Sequence, residues 1–293
     1  MKQMRLNGAY EQLERLSKLG DPLEKINSLI NWEMFRETIE KAIRKDMSKG
    51  GRPPFDVILM FKIVMLQQWY GLSDMGIEFQ INDRVSFCRF LRLEFGEKNP
   101  DGNTIWDFKE ALKDKDVDRK LFDLFNKMLE EKDIITHKGS IIDATFVTVP
   151  KRHTTKTDNE RLKAGKTVAE LKDLSEKSDE RLLNGEIKSA KNVESQMDFD
   201  ARWTKKGGES FFGYKDHVKC DSDSKIITDF SVTDASVHDS QEFVSLVDGK
   251  DNDLKLDSGY FGEKFKKELL EKFPKLKVHI CAKAFRNKPL TED

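Results

Sequence analysis

The chain has 293 residues, 37% apolar and 36% charged, which is enough for a packed core although the composition is more polar than average. Its 52 basic and 53 acidic side chains cancel, so overall charge does not attract nucleic acid and only local basic patches can. Cys88, Cys220 and Cys281 are scattered without a CxxC pair or zinc spacing, and no run approaches the roughly 20 apolar residues of a membrane span; disulfide scaffolds, zinc modules and membrane spans are excluded, and a cytoplasmic protein is expected.

From Asp21 to Lys49, apolar residues at three- and four-residue steps predict one or two amphipathic helices, stopped by Gly50-Gly51-Arg52-Pro53-Pro54. Asp56 is placed to cap a helix over Val57–Tyr70 that has almost no polar face and is expected at the centre of a helical domain, with Gly71 ending it. Short helices follow from Ser73, from Asp83 or Arg84, and from Asn103 or Thr104, then a longer one over Asp116–Lys132. Short helices with tight turns suit a helix-turn-helix, which would offer Arg84, Arg89 and Arg92 to a phosphate backbone.

Ser140–Val149 reads as a buried strand that contains a carboxylate, Asp143, and a buried charge needs a partner, a cap or a metal ion. The next stretch is basic (Lys151, Arg152) and then almost wholly charged, so 151–205 is expected to be a surface insertion, partly helical around Ala169–Leu183. Phe211–Cys220 and Lys225–Val232 predict two strands joined by a turn; Asp239–Leu246 a helix; Leu254–Asp257 a strand; Gly262–Lys272 a helix; Lys277–Ala282 a last strand. The fold class expected is α/β: helices over 1–136, then a mixed sheet flanked by helices over 137–293. The segment from residue 258 onward is basic, with nine positive against five negative side chains.

Asp143 and Asp257 are 114 residues apart, so they form one site only if their strands lie side by side. Metal-assisted phosphoryl chemistry needs that arrangement, because carboxylates are the hard oxygen ligands that Mg²⁺ prefers. His217, on a strand, is placed to support such a site, as is His238, which also suits a helix cap. Lys205 and Lys206, beside the expected hairpin, and Lys151 and Arg152 are placed to line a DNA channel; Trp203 either stacks on a base or anchors the insertion. No P-loop, dinucleotide fingerprint, GxSxG elbow or HExxH occurs, which removes the corresponding hydrolases and oxidoreductases.

The ordered set Ile142-Asp143-Ala144-Thr145, Asp200-Ala201-Arg202-Trp203-Thr204-Lys205-Lys206, Phe212-Gly213-Tyr214-Lys215-Asp216-His217, Val237-His238-Asp239-Ser240 and Leu256-Asp257-Ser258-Gly259-Tyr260 resembles the insertion-sequence transposases of the IS-five group. Gly51-Arg52-Pro53-Pro54-Phe55-Asp56, Leu66-Gln67-Gln68-Trp69-Tyr70, Asn82-Asp83-Arg84-Val85-Ser86-Phe87 and Thr104-Ile105-Trp106 look like that group's helical domain. The resemblance implies a ribonuclease-H-like DDE core that cuts and rejoins the ends of a mobile element with Mg²⁺ or Mn²⁺, Asp143 and Asp257 being its two aspartates. It further implies double-stranded DNA partners (terminal inverted repeats and target), a homo-oligomer on DNA and association with the nucleoid. The family's glutamate lies on a helix after the last strand; Glu292 does not match it, and Glu263, Glu268 and Glu271 precede that strand. The expectation is therefore a chain truncated before its third acid, and the alternative reading is an inactive DNA-binding remnant or inhibitor.

Overall fold

The computed structural model describes residues 8–43, 53–94, 96–113, 117–149, 156–165, 170, 198, 200–257 and 263–280. The chain divides into two compact units, Met1–Met128 and Leu129–Asp293. No described helix is long and apolar enough to cross a membrane.

The first unit is built round α4 (Val57–Tyr70), whose side chains are apolar on nearly every face because neighbouring helices surround it. Asp56 caps it, accepting from Ile58 N at 2.9 Å and Leu59 N at 3.1 Å, and Gly71 stops it at φ 60°, a left-handed conformation that costs glycine nothing. Around it lie α2 (Pro22–Leu29), a 3-10 turn (Trp32–Phe35), α3 (Arg36–Ile43), α5 (Asp74–Asp83), α6 (Val85–Leu91) and α7 (Gly102–Lys113). Ile39, Ile63, Leu66, Ile77, Phe87 and Ile105 are wholly buried in one core, and Trp32, Phe35, Phe61 and Phe90 meet edge-on or tilted beside it. Two helices bracket this set. The longer one expected over Asp116–Lys132 is α8 (Asp118–Glu131), whereas α1 (Gly8–Leu19) answers to no sequence expectation.

The second unit is a six-stranded sheet in the order β2-β3-β1-β5-β6, with β4 also paired to β3. Its strands are β1 (Ser140–Thr148), β2 (Arg202–Lys206), β3 (Glu209–Asp221), β4 (Ile227–Asp234), β5 (Asp253–Leu256) and β6 (Lys277–Ile280). The pairs β1–β3, β2–β3 and β3–β4 are antiparallel, and β1–β5 and β5–β6 are parallel, so the mixed α/β sheet after an all-helical segment is as expected. The sheet resumes at Arg202, inside the segment read as the insertion 151–205, because β2 gains its backbone partners from β3. Within that segment α9 (Lys156–Lys163) is helical; the helix expected around Ala169–Leu183 lies outside the described residues.

Helices α10 (Asp239–Leu246) and α11 (Glu263–Lys272) supply Phe243, Leu246 and Leu269 to a core with Ile142, Leu254 and Leu256. That core takes one set of alternate side chains from the parallel strands and leaves the other set facing away.

Candidate active site

Asp143 is not in a buried run as the sequence suggested. Side chains alternate across a strand, so Ile142 is 1% exposed on the core side while Asp143 is turned to the opposite, exposed face and escapes the burial penalty. Its Oδ1 accepts from Ala144 N at 2.8 Å.

β1 and β5 run parallel with Ile142 opposite Leu256, the last paired position. One residue further along each strand stand Asp143 and Asp257, both exposed and both following a buried residue. The paired backbones of such neighbouring strands lie about 4.8 Å apart. On β3 the residue opposite Asp143 is Val218, and the carboxylate of Asp216, opposite Thr145, lies diagonally from Asp143 on the same face. Among the described residues no three His, Cys, Asp or Glu side chains converge on one metal-sized centre. Glu292 lies outside the described residues.

The opposite face of β3 carries a row that alternation alone would have assigned to solvent. Lys215, His217, Lys219 and Asp221 are all buried there. Lys215 Nζ bonds Asp239 Oδ1 at 2.9 Å and donates to the Val237 carbonyl; Lys219 Nζ reaches Asp251 at 3.1 Å and Asp248 at 3.2 Å. Ser140 Oγ donates to the other oxygen of Asp251, tying the start of β1 to the loop before β5. Asp221 accepts from the backbone of His137, Ser224 and Thr136, and these donors hold its carboxyl below the usual carboxylate range despite burial.

His217 is wholly buried opposite Ala144, with Nε2 2.9 Å from Thr233 Oγ1, so it is turned away from the Asp143 side of the sheet. Burial lowers its pKa against the pull of Asp239 and Glu242. His238 caps α10, its Nδ1 accepting from Ser240 N at 3.2 Å.

Lys205 and Lys206 are exposed at the tip of the β2–β3 hairpin, beside Gly207-Gly208, whose positive φ angles make the tight turn. Trp203 packs on Phe212 with ring centroids 5.2 Å apart, in a small core with Val149 and Ala201, while most of the insertion it was expected to anchor lies outside the described residues. Lys151 and Arg152 lie outside the described residues.

In the helical unit Arg84 is exposed, its guanidinium 5.5 Å from the Tyr70 ring and 5.2 Å from Phe87. Arg89 instead points into its own unit: it ion-pairs with Asp21 and donates to Ser17 Oγ at 2.8 Å and the Leu13 carbonyl at 3.2 Å.

The chain matches the family described as a transposase domain (DUF772) over residues 11–111 and the transposase DDE domain family over residues 135–293. Among solved structures it is similar to a piggyBac transposase synaptic complex with hairpin DNA, at 14% identity and a TM-score of 0.34. That alignment covers 90% of this chain and 49% of the other, so the chain spans about half the length of the solved protein, and a superposition this loose places no residue. The DDE match takes in more than half of the sequence, and with it the chain belongs to the transposase DDE domain family.

Proposed function

We propose that the protein is a transposase of the IS-five group that cleaves and rejoins DNA strands at the ends of an insertion element, with Asp143 and Asp257 as ligands of Mg²⁺ or Mn²⁺. The observation that supports this reading is the β1–β5 register, which runs to Ile142 and Leu256, the residues that immediately precede the two exposed aspartates. Their chemistry fits the ion: both are hard oxygen donors, accessible to solvent and to a phosphate. A divalent ion bound there would supply Lewis-acid stabilisation of the phosphoryl oxygens and a water or hydroxyl nucleophile at neutral pH. The chain's own contribution is to hold two carboxylates at a fixed spacing, with Ala144 N orienting one oxygen of Asp143.

Double-stranded DNA is the partner in this reading, as element ends and as target, with a second copy of the chain joining on DNA. Arg84, Lys205 and Lys206 are exposed, and this reading assigns them to phosphate contact. Arg89 holds α1 and α2 in place and so keeps that face in shape. The third acid of the DDE set is assigned to no described residue, and the share of activity that two acids retain is set by it.

The test is nicking of element-end duplex in Mg²⁺ or Mn²⁺. Cleavage that vanishes in Asp143→Asn and in Asp257→Asn supports the reading. DNA retarded but never cut by the wild-type chain favours the DNA-binding remnant, and cleavage that survives both substitutions refutes the assignment.

A further inference from the structure

Three large apolar side chains stand exposed together on the helical unit: Met75 at 67%, Phe79 at 63% and Trp106 at 52%. Met75 and Phe79 are one turn apart on α5, so they share a face. Trp106 joins them from α7. It lies between Gly102 and Lys109 on one stripe of that helix, and both of those residues meet α5: a Cβ added to Gly102 would come within 2.6 Å of Met75 Sδ, and Lys109 Nζ bonds Asp74 Oδ1 at 2.6 Å. Glu78 Oε2 accepts from Gly102 N at 2.8 Å and pins the two helices there, so the exposure is built in and is no product of loose packing.

At the roughly 150–250 Å² that such large side chains carry, the three leave on the order of 350 Å² of apolar surface in water. A patch of that size marks an interaction surface, and it is close to half of the ~800 Å² that each partner brings to a stable interface, the share expected of an apolar core inside a polar rim. Charge excludes DNA as the occupant. Residues 74–83 and 101–110 carry six acidic side chains against one basic, which repels a phosphate backbone. At contact range the acids are tied back: Asp74 to Lys109, Glu78 to Gly102 N, and Asp101 Oδ1 to Thr104 N at 2.7 Å, while Asp107 lines a cavity against α3 and α4. An apolar surface whose nearest charges are satisfied at home offers a basic partner little to pair with, and it meets its own image without burying an unpaired carboxylate at the centre.

We propose that Met75, Phe79 and Trp106 form the surface through which two copies of this chain pair in the absence of DNA. The contact is isologous, each patch covering the other, so it closes at two copies. It deepens the reading above, in which a second copy joins on DNA, by placing the contact on the helical unit. The net negative charge around the patch is screened by salt, so the pair tightens as ionic strength rises, the reverse of a contact made through phosphates.

The experiment is sedimentation equilibrium of the full chain without DNA, at low and at high salt, for wild type, Phe79→Gln, Trp106→Gln and Tyr10→Gln. Tyr10, 74% exposed on α1, is the control for an apolar residue outside the patch. Phe79→Gln and Trp106→Gln should each raise the dimer dissociation constant at least about thirtyfold, because every substitution is made twice per dimer, while Tyr10→Gln should change it less than about threefold. All three positions are exposed, so the circular dichroism spectrum should stay unchanged. A wild type that is monomeric at every concentration, a dimer that loosens as salt rises, a dimer indifferent to Phe79→Gln and Trp106→Gln, or equal losses in all three variants overturns the proposal. Nicking of element-end DNA keeps the two readings apart. A chain that nicks yet stays monomeric off DNA refutes the surface alone, and a dimer that behaves as expected but never nicks supports the surface while the reading as an active transposase fails.

Discussion

The helical unit and the sheet unit treat buried polarity in opposite ways. In the first, Lys62 is caged: its ammonium donates to Asn27 Oδ1 at 2.7 Å and the Phe90 carbonyl at 3.1 Å and lies over the rings of Trp32 and Phe90, amid a continuous apolar core. In the second, a whole row of β3 is polar and buried, and each cation in it is matched by a carboxylate from α10 or the loop after it. An apolar row would pack about as well, but it would tolerate a shifted register, and a shift of one residue would turn Asp143 to the other face. The ionic row ties β3, β1 and the approach to β5 together, and so fixes where the two aspartates stand.

The comparison can be broken first at Lys219. Lys219→Ala leaves Asp251 buried without its cation and is expected to destabilise the sheet unit by about 3–5 kcal/mol, while Lys219→Met combined with Asp251→Leu recovers most of the loss. Hydrogen exchange read peptide by peptide checks this, and loss of protection spread equally over both units would contradict it. Next comes Ile63→Ala at the centre of the helical unit, expected to cost about 2–5 kcal/mol and to raise exchange in residues 8–113 rather than in the strands.

Smaller effects separate the units by pH. Burial, with Arg92 nearby, lowers the Lys62 pKa to about 8, below the roughly 10.4 of an unfolded lysine. The native chain then releases this proton before the unfolded chain does, so the helical unit should gain stability as pH rises from about 8 towards 10, and Lys62→Met should abolish the gain. His217 works in the sheet unit at the other end of the scale. Its pKa is lowered by burial, so the native state holds fewer protons than the unfolded state, and stability should fall as pH drops below about 6.5. Urea midpoints at pH 7 and pH 5 for wild type and His217→Gln check it, and equal shifts in the two proteins would refute the assignment.

Much of this was legible in the sequence where one element carries its own signal. Helix α4 has its cap, its apolar run and its terminating glycine in one stretch, and β1 and β5 each carry a short apolar run ending at an aspartate. What stayed hidden depends on partners far along the chain. Lys215, His217 and Lys219 alternate with Asp216 and Val218 in the stretch expected to be a strand, and nothing local marks them as buried, because Asp239, Asp248 and Asp251, which make their burial tolerable, follow some 20 to 30 residues later. Arg89 reads as a phosphate contact until Asp21, 68 residues earlier, is seen to hold it. Strand β2 has only Trp203 and Thr204 as strand formers, and it is pairing with β3 that makes it a strand. Helix α1 was legible but unread: Tyr10, Leu13 and Leu16 recur at three-residue steps among its four charged side chains.

The most direct measurement is Mn²⁺ binding, followed by electron paramagnetic resonance, in wild type, Asp143→Asn, Asp257→Asn and the double variant. Two carboxylates sharing one ion are coupled, so each single substitution should remove nearly all of the bound Mn²⁺ and the double should be no worse than either single. Losses that add independently, or binding unchanged by either substitution, would show that the two aspartates do not form one metal site.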